Sequence, residues 1–144
     1  MLKHVLLSIF ILHFWFLFSQ PNSPFIQNFT NKVYGKKSNP EIYCVTQDLE
    51  NRIIAGTSNG IKVYNGTRWD FIGVKEGSYV TALSRSELGE IFVGAVGDFG
   101  ELKKRKNGTY YFHSYADQID FAEPVWRVHC IGKRTFFQTE SYIY

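Results

Sequence analysis

Cysteine is nearly absent: Cys44 and Cys130 are the only two in 144 residues. Two cannot build the framework of bridges that holds many small secreted domains together, so this fold must rest on packing. Each lies in an apolar, strand-like run, where a free thiol packs as a small hydrophobe. Two buried free thiols are the expectation, and one disulfide is compatible with an oxidising compartment. Helical patterning is lacking as well. No long segment places apolar residues at i, i+3, i+4 and i+7, which excludes an amphipathic helix. Charge of one sign is also missing: 16 Lys and Arg stand against 13 Asp and Glu, and a net charge of +3 draws no nucleic acid to the chain. There is no Ser/His/Asp set, no Gly-Lys phosphate loop and no pair of carboxylates at useful spacing. The chain is therefore not expected to be an enzyme. No catalytic residue, cofactor-binding residue or metal ligand is assigned, no cofactor is expected, and the ligand-binding residues are unknown.

Aromatic residues are abundant instead, with thirteen Phe and nine Tyr. They favour strands, whose pleated surface holds aromatic and β-branched side chains. Two short runs organise the rest: Ile53-Ile54-Ala55-Gly56, and its echo 38 residues later, Ile91-Phe92-Val93-Gly94. Each follows a polar turn and leads into a Gly-rich hairpin, and a period of that size points to repeated four-stranded units.

Residues 1–19 read as a signal peptide. Lys3 and His4 precede an apolar run from Val5 to Phe18, which is short of the roughly 20 residues of a membrane span. Cleavage is expected near Ser19–Gln20. Residues 20–40 form an approach segment whose apolar residues, among them Phe25, Ile26, Phe29, Val33 and Tyr34, are expected to pack on the first repeat.

The first repeat covers 41–73, with strands at Ile42–Thr46, Arg52–Gly56, Ile61–Tyr64 and Thr67–Ile72. Two-residue turns are expected at Asn59-Gly60 and Asn65-Gly66. The second covers 78–115, with strands at Val80–Leu83, Glu90–Gly94, Glu101–Arg105 and Thr109–Tyr115. Its central connection reads as longer, through Gly97-Asp98-Phe99-Gly100, and Asn107-Gly108 repeats the turn at Asn65-Gly66. A third repeat, 125–144, is incomplete: it has strands at Val125–Val128 and Thr135–Gln138, and a start at Ser141–Tyr144. The expected fold class is all-β: after the signal peptide, an incomplete β-propeller of about two and a half four-stranded antiparallel blades over 41–144. The incomplete blade implies a fragment of a longer repeat protein, with self-association through open blade edges.

Single residues with chemical potential have ordinary structural readings. Asp98 between Gly97 and Gly100 reads as turn chemistry rather than a calcium site, which needs six to eight oxygens. Lys103-Lys104-Arg105-Lys106 reads as a solvated outer edge rather than a polyanion site. His113 and His129 have no neighbours at ligand spacing. Asn28-Phe29-Thr30, Asn65-Gly66-Thr67 and Asn107-Gly108-Thr109 are formal glycosylation sequons, the last two better explained as hairpin turns. Trp69, Trp126 and Tyr111 are expected between blades rather than stacked on a sugar.

The words Val45-Thr46-Gln47-Asp48, Asn59-Gly60-Ile61-Lys62-Val63-Tyr64-Asn65-Gly66-Thr67-Arg68-Trp69 and Val80-Thr81-Ala82-Leu83 carry a resemblance, as do Ile91 through Leu102 and Val125 through Thr139. As a set they resemble the N-terminal blades of the two-component regulator propeller family, over about residue 25 to the end. That resemblance implies the periplasmic or extracellular sensor propeller of a membrane-bound signalling regulator. A triple-tyrosine domain, one membrane helix and a kinase or helix-turn-helix output lie downstream in such proteins. It implies a small ligand, glycan or peptide, and membrane attachment only through the downstream helix. The alternative is a secreted propeller scaffold with no signalling output, and a propeller polysaccharide lyase is a more distant one.

Overall fold

The computed structural model describes residues 26, 28, 41–76, 78–119 and 121–144. The expected signal peptide lies outside them, and so does the approach segment apart from the exposed Ile26 and Asn28.

The described chain is all-β. Strands β1 (Ile42–Gln47), β2 (Ile53–Thr57), β3 (Gly60–Tyr64) and β4 (Trp69–Ile72) form one antiparallel sheet in sequence order. Strands β5 (Val80–Arg85), β6 (Ile91–Ala95), β7 (Asp98–Lys104) and β8 (Tyr110–Ser114) form a second sheet of the same kind. After a short 3-10 turn at Ala116–Gln118, β9 (Arg127–Ile131) and β10 (Arg134–Gln138) pair as a third. Beyond β10, Phe137 and Tyr144 exchange two backbone hydrogen bonds, so the chain turns back along that strand.

The first two sheets repeat each other in detail. Each first strand carries a bulge at one place, with Tyr43 as the extra residue in β1 and Thr81 in β5. Each first connection is five residues with a left-handed residue fourth, Asn51 (φ 62) and then Gly89 (φ 89). Asp48 Oδ1 accepts from the backbone N–H of Glu50 and of Arg52, and Ser86 Oγ accepts from that of Glu90. Short acceptors at the head of a turn satisfy amides that the ladder leaves over.

The second hairpins differ from the sequence reading. In the first sheet Thr57 pairs with Gly60, so the loop is Ser58-Asn59, one residue earlier than expected. Thr57 draws the turn there: its Oγ1 accepts from the Asn59 N–H and donates to the Gly60 carbonyl. In the second sheet Ala95 pairs with Asp98, leaving only Val96-Gly97 as the loop. This connection is as short as its counterpart, so Asp98, Phe99 and Gly100 are strand residues and not a long loop. The true insertion lies one hairpin later. Tyr64 pairs with Trp69 across a four-residue loop, whereas β7 and β8 run on to the pair Lys104–Tyr110 before a five-residue loop.

The sheets stack face to face, β1 against β5 and β5 against β9. Between the first two lie Ile54, Ile61, Val63, Val80, Ile91, Val93 and Leu102. Between the second and third lie Ala82, Phe99, Phe121, Val125, Val128 and Phe137. The unbroken apolar run of β6 follows from this. Ile91, Val93 and Ala95 meet the first sheet while Phe92 and Gly94 meet the third, so neither face faces water.

Stacking distance is set by two glycines. A Cβ on Gly56 would lie 2.4 Å from Cys44 Sγ and 2.6 Å from Val80 Cγ1. A Cβ on Gly94 would lie 2.5 Å from Val125 Cγ1 and 2.9 Å from Val125 Cβ. Each glycine of a second strand thus receives a valine at the entry to the next sheet, Val80 at the start of β5 and Val125 two residues ahead of β9. Gly56→Ala and Gly94→Ala are each expected to cost about 1–3 kcal/mol of unfolding free energy. Gly73→Ala, where an added methyl meets nothing within 4 Å, should stay within about 0.5 kcal/mol. Urea midpoints of the three variants decide this.

Candidate functional site

The most concentrated polar chemistry lies where the first connection of sheet one meets the third hairpin of sheet two. Asp48 is 3% exposed. Its carboxylate accepts from Arg52 Nε at 2.6 Å and from the Tyr110 hydroxyl of β8 at 2.9 Å, besides the two backbone amides of its own turn. Arg52 spans the same boundary, donating from Nη1 to the Gly108 carbonyl at 3.1 Å, with its guanidinium 4.6 Å from the Tyr110 ring centroid. Its Nη2 lies 3.3 Å from Glu50 Oε2, and Lys104 closes the ring by pairing with Glu50 Oε1. A buried carboxylate with this many donors is stable in its charged form.

The titration directions follow. Burial alone would raise Asp48, but the hydrogen bonds from Arg52, from Tyr110 and from the Glu50 amide outweigh it and hold the carboxyl below its usual range. Burial, joined by the Asp48 carboxylate, pushes the Tyr110 hydroxyl up to about 12. Arg52 moves upward because Asp48, Tyr110 and Glu50 overcome its desolvation.

Beside this network lies a cleft of about 510 Å³. One wall is β4 and its preceding loop, with Arg68, Asp70 and Phe71; the other is the overhanging β7–β8 loop, with Arg105 and Asn107. Both loops are shaped by their asparagines: Asn65 Oδ1 accepts from the Thr67 and Arg68 amides, and Asn107 Oδ1 from the Thr109 amide and hydroxyl. These two sequon asparagines are exposed. A wider cleft of about 690 Å³ lies near Asp98, Ser114 and Phe121.

Residues singled out from the sequence have mixed placements. Asp98 is not in a loop; it opens β7, is 4% exposed, and accepts a 2.6 Å hydrogen bond from Ser114 Oγ. Lys103-Lys104-Arg105-Lys106 is more than a solvated edge. Lys104 reaches Glu50 of the neighbouring sheet, and Arg105 lies 4.8 Å from the Tyr111 ring centroid while donating to the Tyr110 carbonyl. Trp69 lies on Tyr64 of its own sheet, with ring centroids 5.0 Å apart. Trp126 is 53% exposed on the last described sheet; it stands ahead of β9 at the place of the bulge residues Tyr43 and Thr81, which contact Tyr79 and Val125 at the entry to the following sheet. His113 and His129 are exposed, and among the described residues no three His, Cys, Asp or Glu side chains come together. Cys44 and Cys130 are half-buried free thiols on β1 and β9.

Sequence reading passed over Asp48, Arg52 and Tyr110. The available signal is the departure from the repeat: Asp48 and Arg52 stand where Ser86 and Glu90 stand in the second sheet, so a buried ion pair replaces a hydroxyl–carboxylate hydrogen bond.

No family model matches the chain, and neither a curated protein nor a solved structure matches it.

Because the Asp48 carboxyl is depressed in the folded state, its stabilisation is complete above the unfolded value of about 3.9 and is lost as pH falls through the lower folded value. Asp48→Asn is expected to lose about 3 kcal/mol at neutral pH and to show a shallower decline between neutral and acid, as followed by urea midpoints against pH. Cys44 provides a second test. Burial, only partly offset by the Gly56 amide, pushes its thiol up to about 11, so iodoacetamide at pH 8 should modify Cys44 at least about tenfold more slowly in the folded protein than in urea-unfolded protein. Peptide mapping of natively alkylated protein measures that.

Proposed function

We propose that the three sheets are consecutive blades of a β-propeller, and that this propeller is the extracytoplasmic ligand-sensing part of a membrane-bound signalling or transcription regulator. The role is binding, not catalysis. The observation that carries the reading is the repeated stacking step. Gly56 receives Val80 and Gly94 receives Val125, at one strand address, with first strands side by side in β1, β5 and β9. Sheets that repeat a face-to-face step through their second strands, and keep their first strands together, are the elements from which a closed ring of blades is built. The sequence words over about residue 25 to the end, which resemble the two-component regulator propeller family, support the sensing role.

In such a receptor a ligand acts by binding one arrangement of the ring better than another, since differential affinity alone shifts an equilibrium. The apolar start of the chain supports export.

The gene beyond the codon for Tyr144 tests this. A reading frame that continues into further Gly-punctuated four-stranded repeats, a membrane helix and a kinase or DNA-binding module is the expected result. A frame with repeats but no helix or output module overturns the sensor and leaves a secreted scaffold. A frame with no repeats at all overturns the propeller.

A further inference from the structure

The cleft between the first two sheets exists because the repeats are unequal. The β7–β8 hairpin extends past its counterpart β3–β4, through the pairs Lys103–Tyr111 and Lys104–Tyr110, and overhangs the first sheet. The overhang is fastened at its base by Tyr110 to Asp48, by Arg52 to the Gly108 carbonyl, and by Lys104 to Glu50. The wall is therefore held in place by side chains of both sheets, and Arg68 and Arg105 on its two sides are not among those fasteners.

Those lining groups are cationic. Arg52, Arg68 and Arg105 line the space against one carboxylate, Asp70. Arg52 is neutralised by Asp48 and Glu50, so the groups that decide are Arg68 and Arg105, one on each wall. Arg68 holds Asp70 at 3.1 Å, but both side chains are exposed (73% and 45%), and an ion pair in that setting contributes little and exchanges readily. Arg105 rests its guanidinium on the Tyr111 ring and donates from Nη1 to the Tyr110 carbonyl, which orients the rest of its donor fork and leaves its charge without a carboxylate partner among the described residues. The Phe71 ring, 59% exposed, and the Asn107 side chain add an apolar surface and an amide to the same walls. A volume of about 510 Å³ is in the range of small-molecule sites.

We propose that this cleft binds a small ligand bearing a carboxylate or sulfate group, with Arg68 and Arg105 closing on the oxyanion from opposite walls. Guanidinium forks match both anions in two-point hydrogen bonds. The site lies between the two complete sheets, so it stands whether or not further sheets close a ring.

The test is calorimetric titration of the full chain at low ionic strength with sodium glucuronate, sodium sulfate and glucose. Saturable glucuronate binding is expected, with no heat from glucose and about tenfold weaker binding in Arg68→Gln/Arg105→Gln. Added sodium chloride should weaken it in the wild type more than in the double variant. Sulfate binding as tight as glucuronate supports the site and assigns its ligand to the free anion; weaker sulfate binding supports it and assigns the ligand to a carboxylate on a larger body. Arg105→Lys, which keeps the charge but loses the fork, guards against a variant that fails to fold, and its loss should fall between wild type and the double variant. The proposal is overturned if neither anion binds saturably at millimolar concentration, if glucose binds as well as glucuronate, or if a variant with an unchanged melting curve binds as the wild type does.

Discussion

The close approach of neighbouring sheets at Gly56 and Gly94 is the constraint on which the rest depends. Two pleated sheets ordinarily stand about 10 Å apart, with side chains filling the space between. Here a valine at the entry to each new sheet enters a space in which the previous sheet offers no Cβ. That contact brings β1 against β5 and β5 against β9, and it lets the bulkier Ile54, Ile61, Val93 and Leu102 fill the wider part of the same interface. Interiors packed at crystal-like density answer such a constraint by shape, not by averaging, which is why the glycine and the valine come as a pair.

Once the sheets are held at that separation, their outer connections are brought within reach of each other. Asp48 then meets Tyr110, a residue 62 positions away, and Arg52 meets the Gly108 carbonyl. The carboxylate is not buried at random. It first satisfies its own turn through two amides and then uses its remaining acceptor capacity across the boundary, which makes a costly buried charge tolerable. The same boundary becomes a cleft because one hairpin outgrows the other. A cleft thus arises from a local departure from the repeat, laid over a core that keeps it.

How much was legible follows from which groups act locally. Strand runs such as Ile53–Gly56 and Ile91–Gly94 are visible because apolar composition and glycine punctuation are properties of neighbouring residues. Hairpin positions were legible to within a residue or two. The loop at Ser58-Asn59 escaped because Thr57, through its hydroxyl, outcompeted the Asn-Gly pair that normally marks a turn. Asp98 was misplaced in a loop because Gly97 and Gly100 look like turn residues; Gly97 is one, with φ 68, whereas Gly100 is a strand residue where a Cβ would lie 2.0 Å from the His113 carbonyl.

What the sequence by itself determined is the all-β character, the order of the described strands, and the repeat that sorts them into antiparallel sheets, since propensity, alternation and turn residues act over a few positions of chain. Only the tertiary structure decided that the third hairpin carries the insertion, that Lys104 serves the neighbouring sheet, and that Asp48, Arg52 and Tyr110 form one network. These depend on which faces meet and at what distance. That distance is set by the absence of two β-carbons, which pattern can mark as glycine but cannot turn into a contact.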